Sequence, residues 1–154
     1  MCTRGKNLFI LPRSCANVVA MVDLIHVDEI VESFDFLPDW EERYTYLIDL
    51  GKKLPPMADE LKIEANRVQG CVSKVWLVAE DKDGHMHFTA DSDAHIVKGL
   101  VYILLSAFSG KSKTDIQNVD IDALFAQMGL DKQLSPSRRN GFVAMVERIK
   151  SYAA

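Results

Sequence analysis

Cys71 is the residue with the clearest capacity for chemistry in this sequence. It directly follows Gly70, and glycine lets the backbone bend sharply and another molecule come close. Arg67 and Lys74 lie nearby in the sequence, and neighbouring cations lower the pKa of a thiol from about 8.5 and make it nucleophilic. These features are compatible with an accessible, partly ionised thiol on a loop. The same residues also fit a buried, inert thiol, because free cysteine is among the most buried residue types.

A metal site is a second possibility for the same region. Together with Cys71, the side chains of His85, His87, Asp91 and Asp93 are of the types that bind zinc. His85 and His87 would lie on the same face of a strand, because side chains alternate between the two faces. No Cys-x-x-Cys pair or helical histidine pair accompanies them, so a solvated strand face is the favoured interpretation.

A small cysteine hydrolase is a third possibility. It would need a histidine to accept the thiol proton and an acid to orient that histidine. Five residues can formally supply these groups: His85, His87, His95, Asp91 and Asp93. No signature of a cysteine protease surrounds Cys71, however. The sequence also lacks a glycine-rich phosphate loop and a dinucleotide fingerprint, so nothing supports ATP or NAD chemistry.

Helices are predicted on both sides of these residues. Apolar periodicity and capping signals predict helices over residues 27–34, 39–53, 96–108, 120–127 and 136–151. In the second, Asp39 and Glu42 form a capping box, and Pro55 follows its end. In the last, Ser135 is the predicted cap and Pro136 takes the first helical position. The most apolar helix, 96–108, should lie across a sheet.

Strands are predicted in the middle of the chain. Residues 74–79 and 86–89 are rich in strand-forming types, and Asp83-Gly84 between them is a strong hairpin signal. Residues 66–68 are a candidate third strand, joined to the first hairpin strand by a turn around Gly70 and Cys71. An isolated hairpin is barely stable in water, so more strands and packed helices are needed. The order of elements predicts an α+β fold, with a small three-stranded antiparallel sheet packed with helices.

Composition excludes several classes of protein. The chain has 154 residues, of which 48% are hydrophobic and 26% charged, as in an ordinary globular domain. Its net charge of −4 argues against a nucleic-acid binder, which needs a basic surface. No apolar run is long enough to span a membrane. Three cysteines cannot all pair within one chain, which favours a reducing, cytoplasmic location over a disulfide framework.

The first 20 residues differ from the rest, because they contain three basic residues and no acid. A targeting peptide would explain this pattern, but the apolar run over residues 8–11 is short and a proline follows it. An upstream start codon, with Met21 as the usual beginning, is the favoured interpretation. We therefore predict an N-terminal extension over residues 1–20 and a single domain over residues 21–154.

Four ordered segments resemble the SufE family of cysteine desulfuration proteins. Residues 67–76, which read RVQGCVSKVW, are similar to the family's signature around its active cysteine. Residues 91–100 and 134–138 resemble two further blocks, and residues 47–55 resemble its N-terminal helix. The family often has glutamine where this chain has Val72. The resemblance covers the chain from about Val27 to its C-terminus and implies a three-stranded antiparallel sheet packed with helices.

The resemblance implies a sulfur carrier. Cys71 would take sulfur from the persulfide of a cysteine desulfurase (SufS-like) and pass it to an iron–sulfur cluster scaffold. The carrier would be an accessory sulfurtransferase that stimulates the desulfurase and has no turnover of its own. It would bind no cofactor or metal, because pyridoxal phosphate belongs to the partner. A monomer or homodimer that binds neither nucleic acid nor membrane is expected.

The resemblance also assigns roles to residues around the cysteine. Those expected to shape the loop or dock the partner are Arg67, Gln69, Gly70, Ser73, Asp93 and Arg138. The competing interpretation from the residues themselves is a metal-binding scaffold that builds clusters, or a small cysteine hydrolase. The three hypotheses differ in whether sulfur loads onto Cys71, metal binds, or a substrate turns over without a partner.

Overall fold

A three-stranded antiparallel sheet and seven helices make up the computed structural model, which describes residues 24–70 and 73–154. The strands are β1 (Val75–Lys82), β2 (His85–Ser92) and β3 (Lys111–Ser112), in the order β1-β2-β3. The helices are α1 (Val27–Phe36), α2 (Trp40–Lys52), α3 (His95–Phe108), α4 (Lys113–Asn118), α5 (Ile121–Met128), α6 (Leu130–Gln133) and α7 (Pro136–Tyr152). The predicted α+β class is confirmed. The predicted extension, residues 1–20, lies outside the described residues.

The predicted hairpin forms around Asp83 and Gly84. Both residues have positive φ, 55° and 86°, which is the conformation that a tight two-residue hairpin turn requires. The Asp81 carboxylate accepts a hydrogen bond of 3.0 Å from the Gly84 N–H across this turn. β1 and β2 then pair along their whole length, from Lys82 opposite His85 to Val75 opposite Ser92.

The predicted third strand is wrong in position. Residues 66–68 do not form a strand: Glu64–Asn66 is a 3₁₀ turn, and Arg67 makes only an isolated bridge to Trp76. The third strand is β3, which pairs with the first two residues of β2 on the edge away from β1. A strand cannot begin at residue 66 for a local reason. Asn66 belongs to the 3₁₀ turn, and its side chain donates a hydrogen bond to the Leu61 carbonyl.

The five predicted helices are present, with no end shifted by more than two residues. The two side-chain caps that the sequence predicts are present: Asp39 accepts from the Glu42 N–H at 2.9 Å, and Ser135 accepts from the Arg138 N–H at 3.3 Å. Gly129 ends α5 in the left-handed conformation. The short helices α4 and α6 have six and four residues, too few for apolar periodicity to reveal them.

Helix α3 is the centre of the core. It packs against β2 on one side and α2 on the other, and Ile103 and Phe108 are fully buried. Its crossing with α2 is close, because a Cβ built on Gly99 would lie 2.1 Å from the Leu47 carbonyl oxygen. Beside α3, helix α7 packs its buried residues Met145 and Ile149 towards the sheet. None of the helices in the described ranges is long and apolar enough to cross a membrane.

Candidate functional site

The candidate nucleophile Cys71 and its neighbour Val72 lie outside the described residues, but both flanks are described. We call residues 67–74 the cysteine loop. Its two arms are joined by a hydrogen bond of 2.8 Å from the Val68 N–H to the Val75 carbonyl, and by the bridge between Arg67 and Trp76. Val68 is buried, whereas Gln69 and Gly70 are exposed. Both arms are therefore part of the fold.

Gly70 meets two requirements that another residue would not. Its φ of +94° lies in the left-handed region that favours glycine. A Cβ at this position would also come within 3.3 Å of the Ala144 side chain on α7. The turn that the sequence predicts at Gly70 is present, and it rests against α7.

Asp93 holds the C-terminal arm of the cysteine loop. Its carboxylate accepts a hydrogen bond of 3.1 Å from the Lys74 N–H, and its own N–H donates to the Lys74 carbonyl at 3.2 Å. The Ser92 hydroxyl donates to the same carbonyl at 2.7 Å. The end of β2 thereby fixes the residue that follows Ser73. Of the two roles predicted for Asp93, the geometry supports loop positioning.

Arg148 holds the N-terminal arm, and sequence reasoning missed it. Its guanidinium donates to the Arg67 carbonyl at 3.1 Å and to the Ala65 carbonyl at 3.2 Å. The side chain of Arg67 itself turns back to Glu64 at 3.6 Å, within its own 3₁₀ turn. Nothing in the sequence links α7 to residues 65–67, because the contact joins segments that are far apart in the chain.

A cavity of about 260 Å³ opens beside the cysteine loop. Ser73 and Arg138 both line it, although they are distant in sequence. Its other lining residues come from α3, from α7 and from the N-cap of α7: Val97, Leu100, Ser135, Ser137, Gly141, Phe142 and Met145. The predicted residues Arg67, Gln69, Gly70 and Asp93 are not part of this lining. The cavity is mainly apolar, with Arg138 among its lining residues, and Ser73 is the residue of the cysteine loop that lines it.

Asp91, on β2 two residues before Asp93, is a buried carboxylate. Asp91 pairs with Lys62 at 3.0 Å and with Lys98 at 3.7 Å, and it accepts the Ser92 N–H at 2.8 Å. The hydrogen bond to Asp91 raises the pKa of Lys62 above its usual value. The Lys62 ammonium also lies 5.9 Å from the centre of the Trp76 ring. Asp91, a zinc-ligand candidate in the sequence, therefore binds lysines and the backbone next to Asp93.

The other zinc-ligand candidates are spread along β2. His85 and His87 share one face of the strand at its hairpin end, opposite Lys82 and Glu80. Asp91 is further along the same strand, about 20 Å from His85 at the usual rise per residue. Within residues 24–70 and 73–154, no three histidine, cysteine or acidic side chains converge as a metal site would require.

The pH dependence of stability should report on His87. Its half-buried position lowers the pKa of this imidazole, with smaller effects in the same direction from Lys82 and His85 and an opposing one from Glu80. The folded state then binds the proton less tightly than the unfolded chain does. The contribution of His87 to the free energy of unfolding is therefore complete above the ordinary histidine pKa of about 6.5. It is lost as the pH falls through the lowered pKa of the folded state.

We expect the urea midpoint of the wild type to decrease as the pH is lowered from about 7.5 to about 5.5. In a His87→Gln variant the decrease should be smaller. Because other groups titrate in both proteins, the difference between the two curves isolates His87. Parallel curves for the variant and the wild type would contradict the prediction.

The sequence matches the family described as "SufE: Fe-S metabolism associated domain" over residues 28–153. The chain belongs to the SufE family. The SufE domain associates it with iron–sulfur metabolism. The matched region contains the whole cysteine loop, the end of β2 and helix α7, which are the parts that form the site described above.

Two curated SufE-like proteins are similar to this chain. An uncharacterized SufE-like protein of Rhizobium etli is 46% identical over 131 residues, which span 82% of this chain and 88% of the relative. An uncharacterized SufE-like protein of Rhizobium meliloti is also 46% identical over 131 residues, spanning 82% of this chain and 94% of the relative. Both matches extend across most of the SufE domain.

The fold is also similar to a solved structure. The solution structure of a hypothetical protein from Thermus thermophilus matches with a TM-score of 0.68, over 82% of this chain and 92% of that one. The two sequences are 23% identical. At that identity the likeness concerns the fold, and the α+β arrangement of this SufE domain is thus one that an experimental structure also adopts.

Proposed function

We propose that this protein is a sulfur carrier that accepts persulfide sulfur from a cysteine desulfurase on Cys71 and delivers it to iron–sulfur cluster assembly. The observation that carries the proposal is the cysteine loop of a SufE domain. Its arms are held from both sides, by Arg148 and Asp93, while Gln69 and Gly70 are exposed next to the cysteine. A thiol that must meet a partner's persulfide needs such an exposed, positioned loop.

The proposed transfer is analogous to thiol–disulfide exchange. The Cys71 thiolate attacks the terminal sulfur of the desulfurase persulfide, and a new S–S bond forms as the old one breaks. The desulfurase cysteine leaves as a thiolate, so one sulfur atom moves and no external oxidant or reductant is needed. The rate depends on the thiolate fraction, the nucleophilicity and the access of the attacking thiol. The second transfer, to the scaffold, repeats the step with an acceptor thiolate as nucleophile.

The residues around the loop support this chemistry in different ways. Arg138 and Ser73 line the neighbouring cavity, and side chains of these two types can donate hydrogen bonds to an anionic sulfur. Gln69 is exposed beside Gly70 and is available to a docking protein. Arg67 contributes its carbonyl to the contact with Arg148 and its side chain to a pair with Glu64. The carrier itself needs no resident cofactor, because pyridoxal phosphate acts in the desulfurase.

Sulfur loading provides the direct test. The full chain is mixed with a SufS-like cysteine desulfurase and free cysteine, and its intact mass is then measured without reductant. We expect the mass to rise by one or more sulfur atoms, and the increase to disappear after a thiol reductant is added. A mixture without free cysteine is the control. If the desulfurase turns over while the mass of the chain stays unchanged, the proposal is wrong.

A further inference from the structure

Arg148 connects helix α7 to the segment that leads into the cysteine loop. Two of its nitrogens, Nη1 and Nη2, donate to the carbonyls of Arg67 and Ala65, at 3.1 and 3.2 Å. Its Nε donates to the Tyr152 hydroxyl at 3.3 Å, and the guanidinium lies 5.6 Å from the centre of the same ring. Tyr152 therefore orients the guanidinium. The Nη1 and Nη2 atoms of Arg148 are then directed at the backbone carbonyls of the arm.

The geometry uses what arginine has and lysine lacks. A planar guanidinium presents several N–H groups in a fixed fork, so it can bond two carbonyls and a hydroxyl at once. A lysine ammonium is a compact charge on a flexible stem and would not span the Arg67 and Ala65 carbonyls while keeping the contact with Tyr152.

Arg148 also lies one turn beyond Ala144 on the same face of α7. Ala144 is the residue against which Gly70 packs, because a Cβ at the glycine would lie only 3.3 Å from the Ala144 side chain. Two successive turns of α7 thus contact the same arm, one at Gly70 and one at Arg67. Between these contacts, Val68 is buried and bonded to Val75.

We infer that Arg148 is a positioning residue that fixes the N-terminal arm of the cysteine loop, residues 65–70, against α7 and so reduces the conformational freedom that this arm loses when a sulfur donor docks. This inference rests on the proposed function. Asp93 fixes the opposite arm, so that both ends of the loop are set before docking. An arm that is already ordered loses less conformational freedom on binding, which strengthens binding without changing the chemical step.

The test compares Arg148→Gln with the wild type in two measurements. Amide hydrogen exchange at Val68 should become about tenfold faster or more, because two hydrogen bonds from a charged donor no longer hold the neighbouring carbonyls. In sulfur transfer, the carrier concentration that half-saturates the desulfurase should rise several-fold, while the rate at saturation stays unchanged. In both measurements the Arg148→Lys variant should lie between the wild type and Arg148→Gln, because lysine keeps the charge and at most one of the two hydrogen bonds to the arm.

Lys150→Gln is the matched control. It removes one positive charge from the same helix, and its ammonium bonds the Val119 carbonyl, away from the cysteine loop. It should change neither measurement. Unchanged Val68 exchange in Arg148→Gln would overturn the inference, and so would a loss confined to the saturating rate. If the wild type accepts no sulfur, the proposed function fails, whereas the exchange measurement still decides whether Arg148 holds the arm.

Discussion

Replacing Cys71 with serine is expected to abolish sulfur loading and any stimulation of the desulfurase. A serine hydroxyl does not attack a persulfide under these conditions, and it leaves no sulfur to carry the product. The substitution exchanges sulfur for oxygen at one atom, so the free energy of unfolding should change little. The measurement is the intact mass after incubation with desulfurase and free cysteine, together with the rate of alanine release.

The chain offers its own control for this experiment. A double variant, Cys2→Ser with Cys15→Ser, keeps Cys71 as the single thiol and should load sulfur as the wild type does. Sulfur found on Cys71→Ser but absent from the double variant would assign the carrier role to the N-terminal thiols instead. Equal urea midpoints for the three proteins would exclude unfolding as the reason for lost loading.

Much of the fold is predictable because its signals are local. Asp39 and Ser135 cap their helices through bonds three residues ahead, and Asp83-Gly84 turns the hairpin with its own backbone. Such signals need no knowledge of the rest of the chain. The third strand lacks one: β3 is only two residues long, and its position depends on where α3 ends relative to β2.

The candidate site is predictable only in part, for the same reason. The resemblance in sequence assigns Ser73 and Arg138 together, and the cavity that both line gives that pairing a physical basis. Arg148 has no sequence signal, because its partners are backbone carbonyls, which every residue possesses. For Asp91 the sequence suggests a metal ligand, whereas its neighbours in space are two lysines.

The close crossing of α2 and α3 leads to a large expected effect on stability. Gly99→Ala should lower the free energy of unfolding by about 2–4 kcal/mol. The new Cβ would lie 2.1 Å from the Leu47 carbonyl oxygen and 2.9 Å from its Cγ. Leu47 is itself fully buried, and the nearest atom belongs to its backbone, so relief requires α2 to move away from α3.

Helix propensity opposes this effect and is too small to cancel it. Alanine is favoured over glycine inside a helix by about 1 kcal/mol, so an open site would gain stability from the change. Overpacking a rigid contact typically costs about 1–3 kcal/mol, and more where backbone must shift. Gly51 lies on the other side of the crossing, where a Cβ would meet the Gly99 nitrogen at 2.9 Å. Neither helix therefore has room to yield.

Ser106→Ala provides the contrast within the same helix. The Ser106 hydroxyl oxygen is buried and has no hydrogen-bond partner among the described residues, so removing it also removes a desolvation cost. This variant should match or exceed the wild type in urea denaturation, while Gly99→Ala unfolds at clearly lower urea. A Gly99→Ala midpoint at or above that of the wild type would mean that α2 and α3 do not cross at this distance, because a helix interior with free space gains from alanine.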